Sequence, residues 1–367
     1  MIPGPVEIPR AVREAYLEDV GSSDVEVTSF YGEYAQVQSQ LRQLVGAERA
    51  TPVLMMGEGM LALWSALKSS VRAGDRVVAV SNGLYGFGIG EMARSVGCEV
   101  DIVEFAWDQV LGDVELAEIR RRVELFRPSL VTAVLCETPS GMLNRRLHDV
   151  GAAARDVGAL FYVDFVSAAG GVAVDFDECH IDLGLLGSQK VLSAPPSISV
   201  VFVSERAWQR IASVAYAGYD ALLPWREASQ SAVVAPYTFD WNALRAFRAS
   251  LRILFDEGLE RVFARHAAVA AECRRRLRAL GLEMHVRGDD GASPTVTAFL
   301  VPAHLTWAQL DAAVRANGVV LGGSYGKLEG VVARVGHMGS QATLHKIERT
   351  AAAIARAIER PITVSPS

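Results

Sequence analysis

The 367-residue chain has only four cysteines, Cys98, Cys136, Cys179 and Cys273, and none lies at a paired spacing. That excludes a disulfide framework, and the thiols read as free in a reducing compartment, which makes a cytoplasmic location the expectation. The seven histidines are equally dispersed, with no two placed four apart to share a metal on one helix face. Cys179-His180 stands alone and reads as a loop, so no metal is expected. No block of basic residues appears: 36 Lys and Arg stand against 42 Asp and Glu, for a net charge of −6. A nucleic-acid partner is therefore not expected. The one arginine cluster, Arg274-Arg275-Arg276-Leu277-Arg278, has helical spacing and reads as a solvated helix face. No apolar run is long enough to span a bilayer, and Met1-Ile2-Pro3-Gly4-Pro5 carries no signal-peptide pattern. No membrane partner is expected, and the composition is that of a soluble, mildly acidic globular protein.

What is present is a large supply of apolar residues, half of the chain, enough for two domains and a sizeable core. From about residue 50 to 205, short β-branched runs alternate with helix-length patterns. The runs are Val53–Met56, Arg76–Val80, Val100–Glu104, Leu130–Cys136, Leu160–Val163, Asp182–Gly187 and Ile198–Val203. Leu61–Lys68, Phe87–Val96 and Leu143–Val157 read as helices between them. Apolar strands alternating with helices predict an α/β fold with a mostly parallel sheet covered on both faces. Beyond Asp240 the pattern changes. Two long amphipathic helices, Trp241–Glu257 and Leu259–Leu280, precede a βαββα series. That series is Pro294–Val301, Trp307–Asn317, Gly318–Leu321, Val331–Val335 and Ala342 to about Ile358. The expected organisation is an N-terminal arm (1–20), a large ring-binding domain (21–245), a smaller C-terminal α+β domain (246–360) and a disordered tail (361–367).

Lys190 is the most informative residue. It follows the apolar run Leu185-Leu186-Gly187-Ser188-Gln189 and precedes a stretch without charge until Glu205. A lysine surrounded by apolar residues loses hydration, its pKa falls, and its amine becomes a usable nucleophile. The plainer reading is a strand-end lysine whose head reaches water. Asp164 ends the strand Phe161-Tyr162-Val163, where open α/β sheets bind ligands. It suits a partner for a pyridine nitrogen, or simply an N-cap. Gly83-Leu84-Tyr85-Gly86-Phe87-Gly88-Ile89-Gly90 follows a strand and opens a helix, but its spacing departs from the dinucleotide fingerprint. Tyr85 offers a face for a planar ring, or packs in the core. Met56-Gly57-Glu58-Gly59-Met60 is a strand-to-helix turn whose amides would hold an anion, yet Glu58 puts a carboxylate there. Glu58 could also do no more than complement the helix dipole. Arg334, flanked by Val331-Val332-Ala333 and Val335, needs an anionic partner if buried, either a substrate carboxylate or an internal acid.

Taken in order, these pieces resemble the class V aminotransferases, the fold-type I group of pyridoxal-phosphate enzymes. The resemblance runs over nearly the whole chain. Its most specific piece is Gly187-Ser188-Gln189-Lys190 with Ala194-Pro195-Pro196. Val163-Asp164, Glu137-Thr138-Pro139-Ser140-Gly141 and Asn82-Gly83-Leu84-Tyr85-Gly86 reinforce it. The resemblance implies a large domain with a mostly parallel sheet plus a smaller C-terminal domain, and a transaminase activity. It makes Lys190 the Schiff-base lysine, Asp164 the pyridine-nitrogen partner and Tyr85 the stacking aromatic. Thr138 and Ser188 become cofactor contacts along with Gly57, Glu58 and Gly59, and Arg334 with Tyr325 binds the substrate carboxylate. It also implies a homodimer or homotetramer with a shared site, Tyr237-Thr238 reaching into the neighbour's.

Within that family Glu58 is unusual, because the corresponding turn holds the ring's phosphate. A like charge about 4 Å away costs roughly 4 kcal/mol per unit charge at an effective dielectric near 20, and a phosphate carries nearly two. The chain is similar here to the pyridoxamine–pyruvate branch, in which the unphosphorylated ring is a substrate. The shared pieces are Gly57-Glu58, Tyr85-Gly86, Thr138-Pro139-Ser140-Gly141 and Val335-Gly336-His337-Met338-Gly339. It departs from that branch at Ser324-Tyr325-Gly326-Lys327, which lacks a second arginine, and in the lysine motif. The expected function is amino transfer between pyridoxamine and pyruvate or a related 2-oxo acid. The alternative is a conventional enzyme that keeps pyridoxal phosphate and acts on alanine or serine with glyoxylate or pyruvate. A cysteine desulfurase is disfavoured because no cysteine follows Cys273. A nicotinamide-dependent oxidoreductase would rest only on the glycine turn, and a non-enzymatic binder would hold the ring without turnover.

Overall fold

A seven-stranded sheet forms the centre of the larger part of the computed structural model, which describes residues 1–228 and 235–359. In chain order the elements are α1 (Arg10–Tyr16), α2 (Val27–Val45), β1 (Thr51–Met56), α3 (Gly59–Ser70), β2 (Arg76–Ser81), α4 (Leu84–Ser95), β3 (Glu99–Glu104), α5 (Asp113–Phe126), β4 (Leu130–Val134), β5 (Cys136–Glu137), β6 (Met142–Leu143), α6 (Leu147–Asp156), β7 (Leu160–Asp164), β8 (Leu183–Gly187) and β9 (Ile198–Val203). Helices α7 (Glu205–Val214), α8 (Leu223–Ala228), α9 (Trp241–Glu257) and α10 (Leu259–Ala279) follow. The chain continues through β10 (Val296–Leu300), α11 (Trp307–Ala316), β11 (Gly322–Gly323), β12 (Val332–Gly336) and α12 (Leu344–Glu359).

The main sheet has the order β1-β9-β8-β7-β4-β2-β3. Strands β4, β7, β8 and β9 are buried along their whole length, which matches their near-continuous apolar sequences. Only β9 runs against its neighbours. The link from β8 to β9, residues 188–197, is too short for a right-handed crossover, so the chain turns back as a hairpin. That reversal places Lys190 in the returning turn. The other parallel strands bring Met56, Ser81, Val134 and Asp164 to the same edge of the sheet, where open α/β sheets gather their ligands.

The α/β architecture and mostly parallel sheet agree with the expectation; several boundaries do not. The run Leu130–Cys136 is not one strand. It leaves the sheet after Val134, and Cys136–Glu137 pairs instead with Met142–Leu143. The helix expected from Leu143 begins only at Leu147, because the Asn144 side chain is held by Asn82 and by the Val134 carbonyl. Arg274 turns inward to Asp289 rather than joining a solvated face, while Arg275 and Arg278 remain exposed.

The smaller part has the anticipated βαββα order, closed by the antiparallel sheet β10-β12-β11. Its second strand in chain order, β11, is two residues at Gly322–Gly323 rather than Gly318–Leu321. Helices α9 and α10 between them contribute to both cores. Leu251 and Leu254 of α9 and Val262 of α10 pack in the larger core, and the second core begins with Val269. Helix α9 stays with the larger part because its apolar face, Trp241, Leu244, Phe247 and Leu251, is buried there. The tail 361–367 lies outside the described residues. No described helix is long and apolar enough to cross a membrane.

Candidate active site

Lys190 lies three residues past β8 and is partly buried. Its Nζ donates to the Pro3 carbonyl at 2.7 Å. Burial lowers its pKa to about 8, and the Arg334 charge adds to that, against the opposing pull of Asp164, Cys136 and Glu58. The turn around it is built by Ser188. Its hydroxyl donates to the Pro195 carbonyl at 2.5 Å and accepts from the Ile198 amide at 3.2 Å. Ser188 thus commits its hydroxyl proton to the lysine turn.

Asp164 ends β7 and is 6% exposed. One oxygen, Oδ1, accepts from the Val166 amide at 2.8 Å and closes a turn beyond β7; no helix begins there, so Asp164 is not an N-cap. Burial pushes its pKa up to about 6, opposed by that amide and by the Lys190 charge. A buried carboxylate of this kind is completed by a protonated nitrogen, which a pyridine ring supplies.

Tyr85 opens α4 together with Gly86, and their amides donate to the two oxygens of Glu137 at 3.0 and 2.6 Å. Glu137 is fully buried. Burial raises its pKa to about 7, while the two amides oppose the rise. The glycines here serve this contact: a Cβ on Gly83 would lie 2.2 Å from Glu137 Cδ, and one on Gly86 would lie 2.7 Å from the Val80 carbonyl oxygen. The anion position of this helix end is therefore filled by the chain's own carboxylate, which corrects the dinucleotide reading. Burial raises the Tyr85 phenol to about 12; Asp164 adds to that and Arg334 opposes it, so the ring stands within the field of both.

Glu58 is the N-cap of α3, accepting from the Met60 amide at 3.0 Å and from Gln189 Nε2 at 3.3 Å. Gly57 takes φ +146°, and a Cβ there would meet Leu61 Cδ2 at 2.6 Å. Gly59 packs against Val166, immediately beyond the Asp164 strand end.

Arg334 sits on β12, 4% exposed. Its Nε donates to the Gly323 carbonyl at 2.6 Å and its Nη1 to the Thr138 carbonyl at 3.3 Å. The guanidinium lies 5.0 Å from the centre of the Tyr325 ring. Both hydrogen-bond acceptors are neutral, and among the described residues no carboxylate pairs with it. The internal salt bridge is thereby set aside. Thr138 is buried, its hydroxyl 2.5 Å from that of Ser167. Tyr237 and Thr238 are not in this cluster. Tyr237 stacks on Tyr219 at 4.6 Å and bonds the Met56 backbone, and exposed Thr238 donates to Asp24 at 2.5 Å.

Lys190, Asp164, Tyr85, Thr138 and Arg334 thus lie near one another. Sequence reasoning assigned no role to Glu137, Ser167, Gln189 or Pro3. Glu137 carried a signal, a carboxylate directly after a buried strand. Pro3 carried none, because its contact with Lys190 spans 187 positions. The donor set fits a pyridoxal ring: an amine of lowered pKa, a buried acid at the strand end, and a buried guanidinium lacking an anion.

Comparison with known proteins agrees with this geometry. Residues 8–358 match the family model described as aminotransferase class-V. The chain is 31% identical over 297 residues to the pyridoxamine–pyruvate transaminase of Mesorhizobium japonicum, covering 79% of this chain and 74% of that one. It is 28% identical to the serine–glyoxylate aminotransferase of Methylorubrum extorquens, covering 100% of this chain and 92% of the relative. Among solved structures, the alanine–glyoxylate aminotransferase of Nostoc superposes with a TM-score of 0.92 at 27% identity, over 98% of this chain and 94% of that one.

Proposed function

This chain belongs to the class V aminotransferases, and we propose that within the family it moves an amino group between pyridoxamine and a small 2-oxo acid such as pyruvate. The observation that carries this reading is Glu58. Its carboxylate accepts from the Met60 amide in the first turn of α3, the position a ring phosphate would need. Gln189 supports it. Its amide nitrogen donates to Glu58, while its Oε1 is buried without a donor. A 5′-hydroxyl can donate to such an acceptor, whereas a phosphate dianion brings only further acceptors.

When bound, the ring supplies a carbonyl carbon to carry the amino group and a nitrogen that takes up charge. Asp164 would hold that nitrogen protonated, and Tyr85 would cover the ring face. Lys190, with its lowered pKa, would be the amine that anchors the carbonyl carbon and that moves the proton between the two carbons exchanging the nitrogen. Arg334 clamps the carboxylate of the 2-oxo acid, with the Tyr325 ring over the guanidinium.

Two further calls belong to the same proposal. Sharing of the site in a homodimer or homotetramer is supported by the exposed residues Thr238 and Tyr219, whose neighbour Tyr237 touches the Met56 strand end beside the Glu58 turn. A cytoplasmic location is supported by four cysteines that form no disulfide.

The second reading is a conventional enzyme that retains pyridoxal phosphate and acts on alanine or serine with glyoxylate or pyruvate. The single guanidinium at Arg334 and the similarity to the serine–glyoxylate and alanine–glyoxylate enzymes favour it. A titration separates the two. The purified protein is expected to be colourless and to take up pyridoxal at least as tightly as pyridoxal phosphate, followed by the visible absorbance of the Lys190-bound ring. Pyridoxal phosphate that co-purifies and survives dialysis would overturn the pyridoxamine reading.

A further inference from the structure

The segment from Met1 to Glu7 crosses between the two parts of the molecule at the active site. The Met1 carbonyl accepts from the Gly336 amide at 2.8 Å, and the Ile2 carbonyl from Gln341 Nε2 at 2.8 Å. These ties hold the segment to the smaller part. The Pro3 carbonyl accepts from Lys190 Nζ at 2.7 Å, and the Val6 amide donates to the Gln189 carbonyl at 3.1 Å, holding it to the lysine turn. Glu7 then pairs with Lys346 at 2.7 Å, back on the smaller part.

Glycines give this segment its room. A Cβ on Gly336 would lie 2.3 Å from the Ile2 carbonyl oxygen and 2.5 Å from Pro3 Cα. One on Gly322 would lie 2.7 Å from Pro3 Cδ and 3.6 Å from Arg334 Nη2. One on Gly4, which has φ +90°, would lie 2.4 Å from Lys190 Cδ. Pro3 therefore has its carbonyl on the reactive amine, while its ring shares the Gly322 surface with the carboxylate clamp. A 2-oxo acid that brings its carbonyl carbon towards Lys190 and its carboxylate to Arg334 must lie along Pro3.

We propose that the Ile2–Gly4 segment is the wall that sets acceptor size, with Pro3 as a specificity-determining residue that admits short, unbranched 2-oxo acids and rejects those branched at C3. The proposal rests on Lys190 and Arg334 as amine and clamp, and is independent of whether the ring is phosphorylated. One methylene in a fitted pocket discriminates by roughly 10- to 200-fold, so trimming the wall produces a measurable change. Pro3→Ala removes the ring atoms beside Gly322 and keeps the carbonyl that faces Lys190. Gly322→Ala pushes the Pro3 ring the other way.

The test measures kcat/KM for glyoxylate, pyruvate and 3-methyl-2-oxobutanoate in the full-length protein supplied with pyridoxamine. Pro3→Ala is expected to raise the ratio of the branched acid to glyoxylate by about tenfold or more. Gly322→Ala is expected to lower the ratio of pyruvate to glyoxylate. The two variants err in opposite directions, so a misfolded one does not leave the question to the other's silence. Ratios that stay at the wild-type value while all rates fall together would mean the segment only supports the fold, and would overturn the proposal. Wild-type protein inactive with every acid would instead overturn the pyridoxamine reading alone, and the same ratios are then read with pyridoxal phosphate and serine as the donor, where the wall makes the same prediction.

Discussion

Replacing Lys190 with alanine is expected to lower transamination by at least about 10³-fold, because a positioned acid–base group alone contributes up to about 10⁴-fold. The variant is expected to keep the far-ultraviolet circular dichroism of the wild type, since Lys190 lies beyond β8 in a turn and not within the sheet. The wild-type protein also makes a prediction about pH. The amine attacks only when neutral, and burial holds its pKa at about 8. At pH 7.5 roughly a quarter of it is neutral, against about one part in a thousand for an ordinary lysine. The rate at which pyridoxal is taken up should therefore rise with a midpoint near pH 8, and level off above it. A midpoint near pH 10, or full activity in Lys190→Ala, would remove Lys190 from the chemistry.

The second large effect is expected at Glu58. Between the dielectric of water and an effective value near 20, two unit charges about 4 Å apart repel by on the order of 1 to 4 kcal/mol. Glu58 is exposed in the single chain, so the screened end of that range applies. Against a phosphate of nearly two charges the repulsion is still about 2 kcal/mol, or roughly 30-fold in affinity. Glu58→Gly frees the Met60 amide and removes the charge together. The ratio of the dissociation constants for pyridoxal and pyridoxal phosphate should therefore move at least about 30-fold towards the phosphorylated ring. An unchanged ratio would make Glu58 a helix cap and nothing more. The loss of the cap itself costs about 1 kcal/mol of stability, and a small fall in Tm is expected in either case.

Much of this site is legible in the chain because its signals are local. Asp164 and Lys190 each end an apolar run, and an apolar run in an α/β pattern places its last residues at the ligand edge of the sheet. Arg334 is legible for the same reason, as a charge within a strand that has no means of reaching water. What was hidden depends on which strands become neighbours. The role of Glu137 requires β4 to lie beside β2, so that its carboxylate reaches the first amides of α4. Gln189 acts on Glu58 only because β8 and α3 pack together, 131 positions apart in the chain. Pro3 meets Lys190, and the Gly322 surface beside Arg334, only after both parts of the molecule are folded. The packing of α9 and α10 is hidden for a similar reason. Helices α9 and α10 are both amphipathic, and nothing in their periodicity says which core each apolar face will join.

The central claim is that the ring leaves Lys190 as a product instead of remaining as a cofactor. The most direct measurement is the amount of free pyridoxal formed when the purified protein, without added pyridoxal phosphate, is given excess pyridoxamine and pyruvate. The account predicts many equivalents of pyridoxal per protomer, with alanine formed in equal amount. A single equivalent or none, with sustained turnover only when pyridoxal phosphate and an amino-acid donor are supplied, would contradict it.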